Sequence, residues 1–143
     1  MATVFVTRLH VRSWRFFIRF ALYARACGRQ AAATPGFLGG RLATEGLRGF
    51  WTLTVWENAA AMRAFRNADV HLRAMPKLLN WCDEASYLHW EQDAHDVPSL
   101  QEAHRRLLES GHLSKVLKPS AAHASGTKAT HALPRLGPAL KPS

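Results

Sequence analysis

Segments with strand character occur at four places in the first two-thirds of the chain. From Thr3 to Val11 the residues at odd positions are mostly apolar, while the last two even positions are the polar residues Arg8 and His10. This alternation is typical of a β-strand that packs one face against a core. The four predicted strands are residues 3–11, 37–44, 49–56 and 85–90.

Two helical patterns lie between these strands. The first follows a cap at Ser13 and ends before Pro35. The second begins after Asn58 and restarts with a second cap at Asp69, and Pro76 should kink it. The order β-α-β-β-α-β predicts an α+β protein with the ferredoxin-like arrangement.

The third predicted strand is apolar on both sides. Trp51, Leu53 and Val55 share one face, and Phe50 and Trp56 lie on the other. A strand of this kind is expected in the middle of a sheet that is covered on both faces. Helices would cover one face and a second copy of the chain the other, so a homodimer is expected.

Polarity rises after the last strand and divides the chain into three parts. Ser99 and Glu102 form a capping box, which predicts an appended surface helix within residues 97–117. Residues 118–143 are rich in Ala, Ser, Pro, Lys and His, a composition typical of disorder. The ferredoxin-like domain is therefore expected at residues 1–96.

One side of the first helix combines arginines with apolar residues. Trp14, Ile18 and Leu22 lie on this side of a helical projection, opposite an aromatic core face. Two explanations stay open: a second subunit or the C-terminal segment covers these residues, or the face makes a peripheral contact with a membrane. The arginines on the same side are Arg12, Arg15, Arg19, Arg25 and Arg29.

Charge and cysteine content narrow the class of protein. The net charge is +9, but residues 118–143 contain four cations and no acid, and no nucleic-acid-binding motif is recognisable. Specific nucleic-acid binding is therefore not expected. Cys27 and Cys82 are too few for a disulfide framework, and the segment after Met1 lacks the features of a signal peptide. These features predict a cytoplasmic protein.

His71 is the strongest single candidate for chemistry. It lies at the helix kink that should face the sheet, with Asn67 one turn earlier and Met75 one turn later. A neutral imidazole there could ligate haem iron or act as a general base near pH 7. Alternatively, it is a core histidine hydrogen-bonded to the backbone. Trp51 and Trp56 would either pack in the core or grip a flat ligand.

A second polar group is expected on the sheet itself. His10 and His89 occur on strands that should be neighbours, and Arg8 shares the face of His10. They would form a polar patch in a cavity or at an interface. The spacing fixes no third ligand, so no metal site is predicted.

Residues 2–91 resemble the dimeric α+β barrel superfamily, specifically the antibiotic-biosynthesis-monooxygenase-like proteins. The similar segments are the strand Phe50-Trp51-Thr52-Leu53-Thr54-Val55-Trp56-Glu57, the helix Ala60–Phe65 and the turn Asn67–His71. The resemblance implies a homodimer with a ligand cleft between each sheet and its helices. It also implies a small monooxygenase, cofactor-less or haem-dependent, that acts on an aromatic, quinone or polyene-like small molecule.

The resemblance also suggests roles for particular residues. His71 would be the acid, base or ligand, while Asn67 and Arg73 would orient the substrate. The expected substrate-binding residues are Asn67, Arg73, Trp51, Trp56 and Met75. The haem-degrading branch uses an Asn on the first strand, where this chain has none, which argues against haem degradation. A non-catalytic ligand-binding or interaction module on the same fold is the alternative function.

Overall fold

The computed structural model describes residues 1–143 as one six-stranded antiparallel sheet with helices on both faces. The strand order is β5-β4-β1-β3-β2-β6, and its central part, β4-β1-β3-β2, is the ferredoxin-like arrangement that the sequence predicts. The strands are β1 Ala2–Val11, β2 Phe37–Glu45, β3 Gly49–Trp56, β4 Cys82–Gln92, β5 His112–Leu113 and β6 Arg135–Leu140.

Local capping determines where several helices begin. Asn58 accepts a hydrogen bond from the backbone of Ala61, and Ser99 accepts one from Glu102, so both predicted caps are confirmed. Asp69, predicted as a cap, is instead the first residue of its helix. The helices are α1 Phe17–Ala33, preceded by a 3-10 turn at Trp14–Phe16, α2 Ala59–Arg66, α3 Asp69–Trp81, α4 Leu100–Ser110 and α5 Ala121–Ala124.

The first three helices pack on one face of the sheet through two separate apolar clusters. One cluster contains Val11, Phe16, Phe20, Trp81, Cys82, Ala85 and Val116. The other contains Ala31, Phe37, Trp56, Met62 and Phe65. On the same face, the cross-strand partners Thr7 and Thr52 lie between them and are only half-buried. The sheet–helix layer is therefore densely apolar at both ends and polar in the middle.

The opposite face of the sheet is covered by the chain's own α4. Leu100, Ala103 and Leu107 form the apolar stripe of this helix and are buried. They pack against a cluster that includes Ala2, Val4, Val6, Ala43, Trp51, Leu53, Val55, Leu88 and Ala129. The sequence predicts a second copy on this face, but the apolar stripe of α4 already covers it.

The C-terminal segment differs from the expected disorder. Arg135–Leu140 forms β6, which pairs with β2 at the edge of the sheet. The backbone approach is close, since a Cβ at Gly137 would lie 2.7 Å from the carbonyl oxygen of Leu42. The free hydrogen-bonding groups of an edge strand attract such a segment even when its composition is poor in large apolar residues. Composition alone therefore does not predict this strand.

Candidate functional site

A buried arginine lies at one end of the sheet, on the face covered by α4. The Arg8 side chain is 2% exposed and forms ion pairs with two carboxylates, Glu45 at the end of β2 and Glu84 on β4. Its Nη2 lies 2.6 Å from Glu45 Oε2, and its Nη1 lies 2.8 Å from Glu84 Oε1. Antiparallel pairing places β2 and β4 on either side of the β1–β3 pair, so both acids reach Arg8 from the sheet.

Glu45 is fixed by a second donor as well as by Arg8. Trp51 Nε1 donates to Glu45 Oε1 at 3.0 Å. Burial alone would raise the pKa of Glu45, but the hydrogen bonds from Arg8 and Trp51 outweigh it and hold the pKa below its ordinary value. Burial likewise opposes the charge of Arg8, yet its two carboxylates leave its pKa raised. Both groups are therefore charged, and Glu45 is a poor proton acceptor.

His10 and Asp83 form a second polar pair beside this network. His10 Nδ1 lies 2.6 Å from Asp83 Oδ1, and both side chains are partly exposed. Because a carboxylate can only accept, the shared proton is on Nδ1, and Nε2 is the nitrogen left free. A carboxylate in this position orients the imidazole and stabilises the imidazolium that forms when Nε2 takes a proton.

An open cavity of about 530 Å³ lies against these groups. Its lining residues are His10, Trp14, Glu45, Gly46, Leu47, Arg48, Thr130 and Ala132. The guanidinium of Arg48 lies over the Trp14 ring, 5.9 Å from its centroid, so an indole and a positive charge meet in the cavity wall. The volume is in the range that binds small organic molecules. It therefore combines a surface for a flat ligand with a histidine able to accept a proton.

His10, Asp83 and Glu84 also have the residue types of a cation site. Their ligand atoms lie within 4.8 Å of one another. However, Glu84 already accepts hydrogen bonds from Arg8 and from Ser120 Oγ, the latter at 3.0 Å, and Asp83 is paired with His10. A cation would have to displace these bonds and approach a buried guanidinium, so the arrangement fits a polar network better than a metal site.

His71 lies at the start of α3, away from this cavity. Its Nδ1 is 3.1 Å from the backbone oxygen of Arg66, and its ring contacts Phe65 at a centroid distance of 4.8 Å. Gln30 accepts a hydrogen bond from the His71 backbone at 2.8 Å. Burial lowers the pKa of His71, and the nearby charge of Arg66 acts in the same direction. A neutral His71 bonded to the backbone matches the structural alternative considered from the sequence.

The other residues assigned with His71 do not converge on it. Trp51 is buried on the opposite face of the sheet, which corrects its expected place in the sheet–helix cleft, because strand residues alternate between faces. Trp56 is fully buried against Phe37 and Phe65, and its Nε1 donates to Thr54. It therefore packs in the core on the helix side.

The remaining three predicted residues lie on the helix surface. Asn67 caps the end of α2 and is exposed. Arg73 is exposed and lines a groove of about 350 Å³ between α1 and α3. Met75 is 41% exposed. None of them lines the 530 Å³ cavity.

The network at the sheet end is only partly visible in the sequence. Strand alternation predicts Arg8 and His10 on one face, but it does not bring Glu45 or Asp83 to them. Glu84 could have been found, because an antiparallel β1–β4 register puts it directly opposite His10. Asp83 could not, because the register shifts between His10 and Val11. An irregular register is not visible in the alternation of residue types.

The element order and the strand topology define an α+β protein with the ferredoxin-like fold of the antibiotic-biosynthesis-monooxygenase-like proteins, as the resemblance predicts. Residues 20–115 match the family described as "Domain of unknown function (DUF3291)", and the chain belongs to this family. No curated protein matches the sequence.

Solved structures support the assignment of the fold. SnoaB, a cofactor-independent oxygenase from Streptomyces nogalater, superposes with a TM-score of 0.54 at 18% identity, covering 65% of this chain and 94% of that one. Rv0793 from Mycobacterium tuberculosis superposes with a TM-score of 0.60 at 9% identity, covering 66% of this chain and 97% of that one. A Nitrosomonas europaea protein provisionally described as an antibiotic biosynthesis monooxygenase gives 0.57 at 13% identity, covering 64% and 99%. At these identities the similarity shows the fold alone.

Proposed function

We propose that this protein is a small monooxygenase-like enzyme that binds a flat aromatic or quinone-like molecule in the 530 Å³ cavity. The observation that carries the proposal is the His10–Asp83 pair, joined at 2.6 Å in the cavity wall. Among the residues with proton-transfer chemistry, His10 combines a free ring nitrogen, an orienting carboxylate and access to a cavity.

The chemistry follows from the position of the proton. His10 Nε2 would remove a proton from a phenol or from an activated methylene of the bound molecule, and Asp83 would stabilise the resulting imidazolium. The deprotonated molecule is electron-rich enough to donate electrons to dioxygen itself. For a methylene that becomes a ketone, one oxygen atom enters the product and the other leaves as water with the two hydrogens. SnoaB, described as a cofactor-independent oxygenase, shares the fold.

The lining of the cavity favours an aromatic anion. Trp14 offers an exposed indole for stacking, and the guanidinium of Arg48 lies close to it. A phenolate or enolate placed on Trp14 would gain from this positive charge. Glu45 also lines the cavity, but its negative charge is already compensated by Arg8.

His71 provides the competing location for the same activity. Its Nδ1 is held by the carbonyl of Arg66, which leaves Nε2 free, and its lowered pKa keeps it neutral near pH 7. The half-buried Thr7 and Thr52 leave a polar interval between sheet and helices on this side. Trp56 borders this layer, but the exposure of Asn67, Arg73 and Met75 on the helix surface weighs against the roles expected from the resemblance. The burial of Trp51 on the other face weighs against this location.

Oxygen consumption would test both locations with two compounds: anthrone, whose methylene would become a ketone with release of water, and menadiol, which would be oxidised to menadione while dioxygen is reduced to hydrogen peroxide. We expect His10→Ala to lower the rate about a hundredfold or more, and Asp83→Asn to lower it less, while binding is retained. His71→Ala and the exposed control His95→Ala should keep the wild-type rate. Reactions without protein give the spontaneous oxidation rate, which is subtracted.

The other outcomes assign the function differently. Loss of activity in His71→Ala but not in His10→Ala would place the reaction in the sheet–helix cleft. Quenching of Trp fluorescence by both compounds without any oxygen uptake would favour the non-catalytic binding module. The absence of both oxygen uptake and fluorescence quenching would refute the proposal for this class of ligand.

A homodimer also stays a prediction of the resemblance. Because α4 fills the face expected to meet a second copy, a dimer would need another surface or displacement of this helix. Sedimentation velocity of the full chain over a range of concentrations would decide whether it self-associates.

A further inference from the structure

The outer side of α1 and the preceding turn carries three large apolar side chains that are more than half exposed. Trp14, Ile18 and Leu22 are 56%, 72% and 62% exposed. Their spacing of four residues places them in one stripe about 12 Å long on the helix surface. Isolated exposed apolar residues are common, but an aligned group of this kind indicates a contact surface.

The same surface is positively charged without internal compensation. Arg15, Arg19, Arg25 and Arg29 are exposed and form no ion pair within the chain. No acidic residue precedes Glu45, so none is available on the turn or on α1. The stripe and its arginines, hereafter the α1 surface, therefore lack an anionic partner.

Neighbouring elements extend both the apolar area and the positive charge of the α1 surface. The 350 Å³ groove beside Leu22 is formed with Val70 and Arg73 of α3. At the other end, the Arg48 guanidinium lies over the Trp14 ring. Apolar area and positive charge thus continue from the β2–β3 hairpin to α3.

We propose that the α1 surface docks onto an anionic lipid bilayer, with α1 lying in the plane of the interface. Arginines would contact the lipid head groups, while Trp14, Ile18 and Leu22 would enter the boundary with the acyl chains. No helix of the structure combines the length and the apolar character that crossing a membrane requires.

Charge and polarity favour a bilayer over other partners. A second copy docked through the same surface would bring two sets of arginines together, and their repulsion opposes association. Nucleic acid would satisfy the arginines but would leave Ile18 and Leu22 exposed to water. A bilayer with anionic head groups provides both the negative charge and the apolar layer.

Flotation of the full chain with lipid vesicles would test the proposal. We expect binding to vesicles of phosphatidylcholine with roughly 30% phosphatidylglycerol, because this share of anionic lipid gives a strong negative surface potential. Vesicles of pure phosphatidylcholine should bind little of the protein. Added salt should weaken the binding, because it screens the attraction of the arginines to the surface.

Two double variants and two matched controls would locate the contact. Ile18→Ser/Leu22→Ser removes apolar area, and Arg19→Gln/Arg25→Gln removes charge. Each variant should weaken vesicle binding at least tenfold. For the arginine variant the reason is that each arginine near an anionic surface contributes about fivefold to the partition constant. For the apolar variant the reason is the loss of the apolar area that enters the interface. The controls Leu133→Ser/Leu136→Ser and Arg105→Gln/Arg135→Gln change exposed residues elsewhere and should stay within twofold of wild type. Circular dichroism would confirm that all variants are folded.

Three results would overturn the proposal. Equal loss in the α1 variants and their controls would mean that the net charge alone attracts the protein to vesicles. Tighter binding to a single-stranded RNA, lost in the arginine variant but not in the Ile18→Ser/Leu22→Ser variant, would assign the surface to nucleic acid. Self-association abolished by Ile18→Ser/Leu22→Ser, with no vesicle binding, would assign it to a second copy of the chain.

Discussion

Arg8 occupies the most demanding position in the chain, because a buried cation needs full compensation. Replacing it by methionine would leave Glu45 and Glu84 without their shared partner while keeping much of its volume. We expect Arg8→Met to lower the free energy of unfolding by about 3 kcal/mol or more, as in other buried pairs that lose one member. Urea unfolding monitored by circular dichroism would measure the loss.

Arg105 is a suitable control for this change. It also lies near two carboxylates, those of Glu102 and Glu109, but its side chain is 56% exposed. Arg105→Met should therefore cost about 0.5 kcal/mol or less. Similar losses for both variants would show that the Arg8 network contributes no more than an exposed one.

His71 should make stability depend on pH in a direction fixed by its environment. Burial lowers its pKa in the folded protein below the ordinary value of 6.5. The unfolded chain therefore binds a proton first, so the contribution of His71 to stability is complete above pH 6.5 and falls as the pH drops toward the lower folded pKa. In His71→Gln this part of the pH dependence should be absent.

The measurement compares the unfolding free energies of the wild type and His71→Gln at about pH 7.5 and about pH 5.5, on either side of the ordinary histidine pKa. We expect the wild type to lose more stability than the variant between these two pH values. His131→Gln, in an exposed position of the C-terminal segment, should behave as the wild type. A pH dependence that is unchanged in His71→Gln would contradict the burial argument.

Among the elements, α4 has the clearest structural role, because it closes one face of the sheet. Leu107 is fully buried in that contact. Its replacement by alanine should cost about 2–5 kcal/mol, from lost apolar contact and the cavity left behind. Leu117→Ala, at a residue 59% exposed, should stay within about 0.5 kcal/mol of wild type. Denaturant unfolding midpoints at constant slope would report both values, and a small cost for Leu107→Ala would mean that α4 is only loosely attached.

The elements also show what the sequence can and cannot predict. Strand alternation, the caps at Asn58 and Ser99, and the stripe of α4 depend on nearby residues, and the structure contains all of them. β6 depends on pairing with a distant edge, so its own composition does not reveal it. Arg8 and His10 are recognisable as polar residues on one face, but their partner Asp83 depends on an irregular strand register. The sequence fails to predict the parts of the site that depend on contacts between residues far apart in the chain.

At the level of the whole molecule, Trp14 links the two proposed surfaces. It lines the 530 Å³ cavity and also begins the apolar stripe of α1. A bilayer contact through this stripe would bring the cavity close to the lipid interface. A flat aromatic ligand dissolved in the bilayer would then lie near the cavity and could reach it without crossing bulk water. The two proposals are independent, but the shared residue makes them compatible.

The C-terminal segment should control self-association of the whole chain. Deletion of residues 97–143 would remove α4, which covers the apolar cluster around Val4, Val6, Leu53 and Val55. An exposed apolar sheet face of this kind favours pairing with a second copy. We therefore expect the truncated chain to associate at concentrations at least tenfold lower than the full chain, as measured by sedimentation velocity.

Two further proteins make this test specific to α4. Deletion of residues 118–143 alone keeps α4 on the sheet and should change association much less. The full-length variant Leu107→Asp places a charge under the helix and should release it without removing any residue, so it should associate like the longer deletion. If neither the longer deletion nor Leu107→Asp associates more than the full chain, the sheet face is not a latent interface. Any dimer of this protein would then have to use a different surface, because the face that the fold offers to a second copy would be inert even when uncovered.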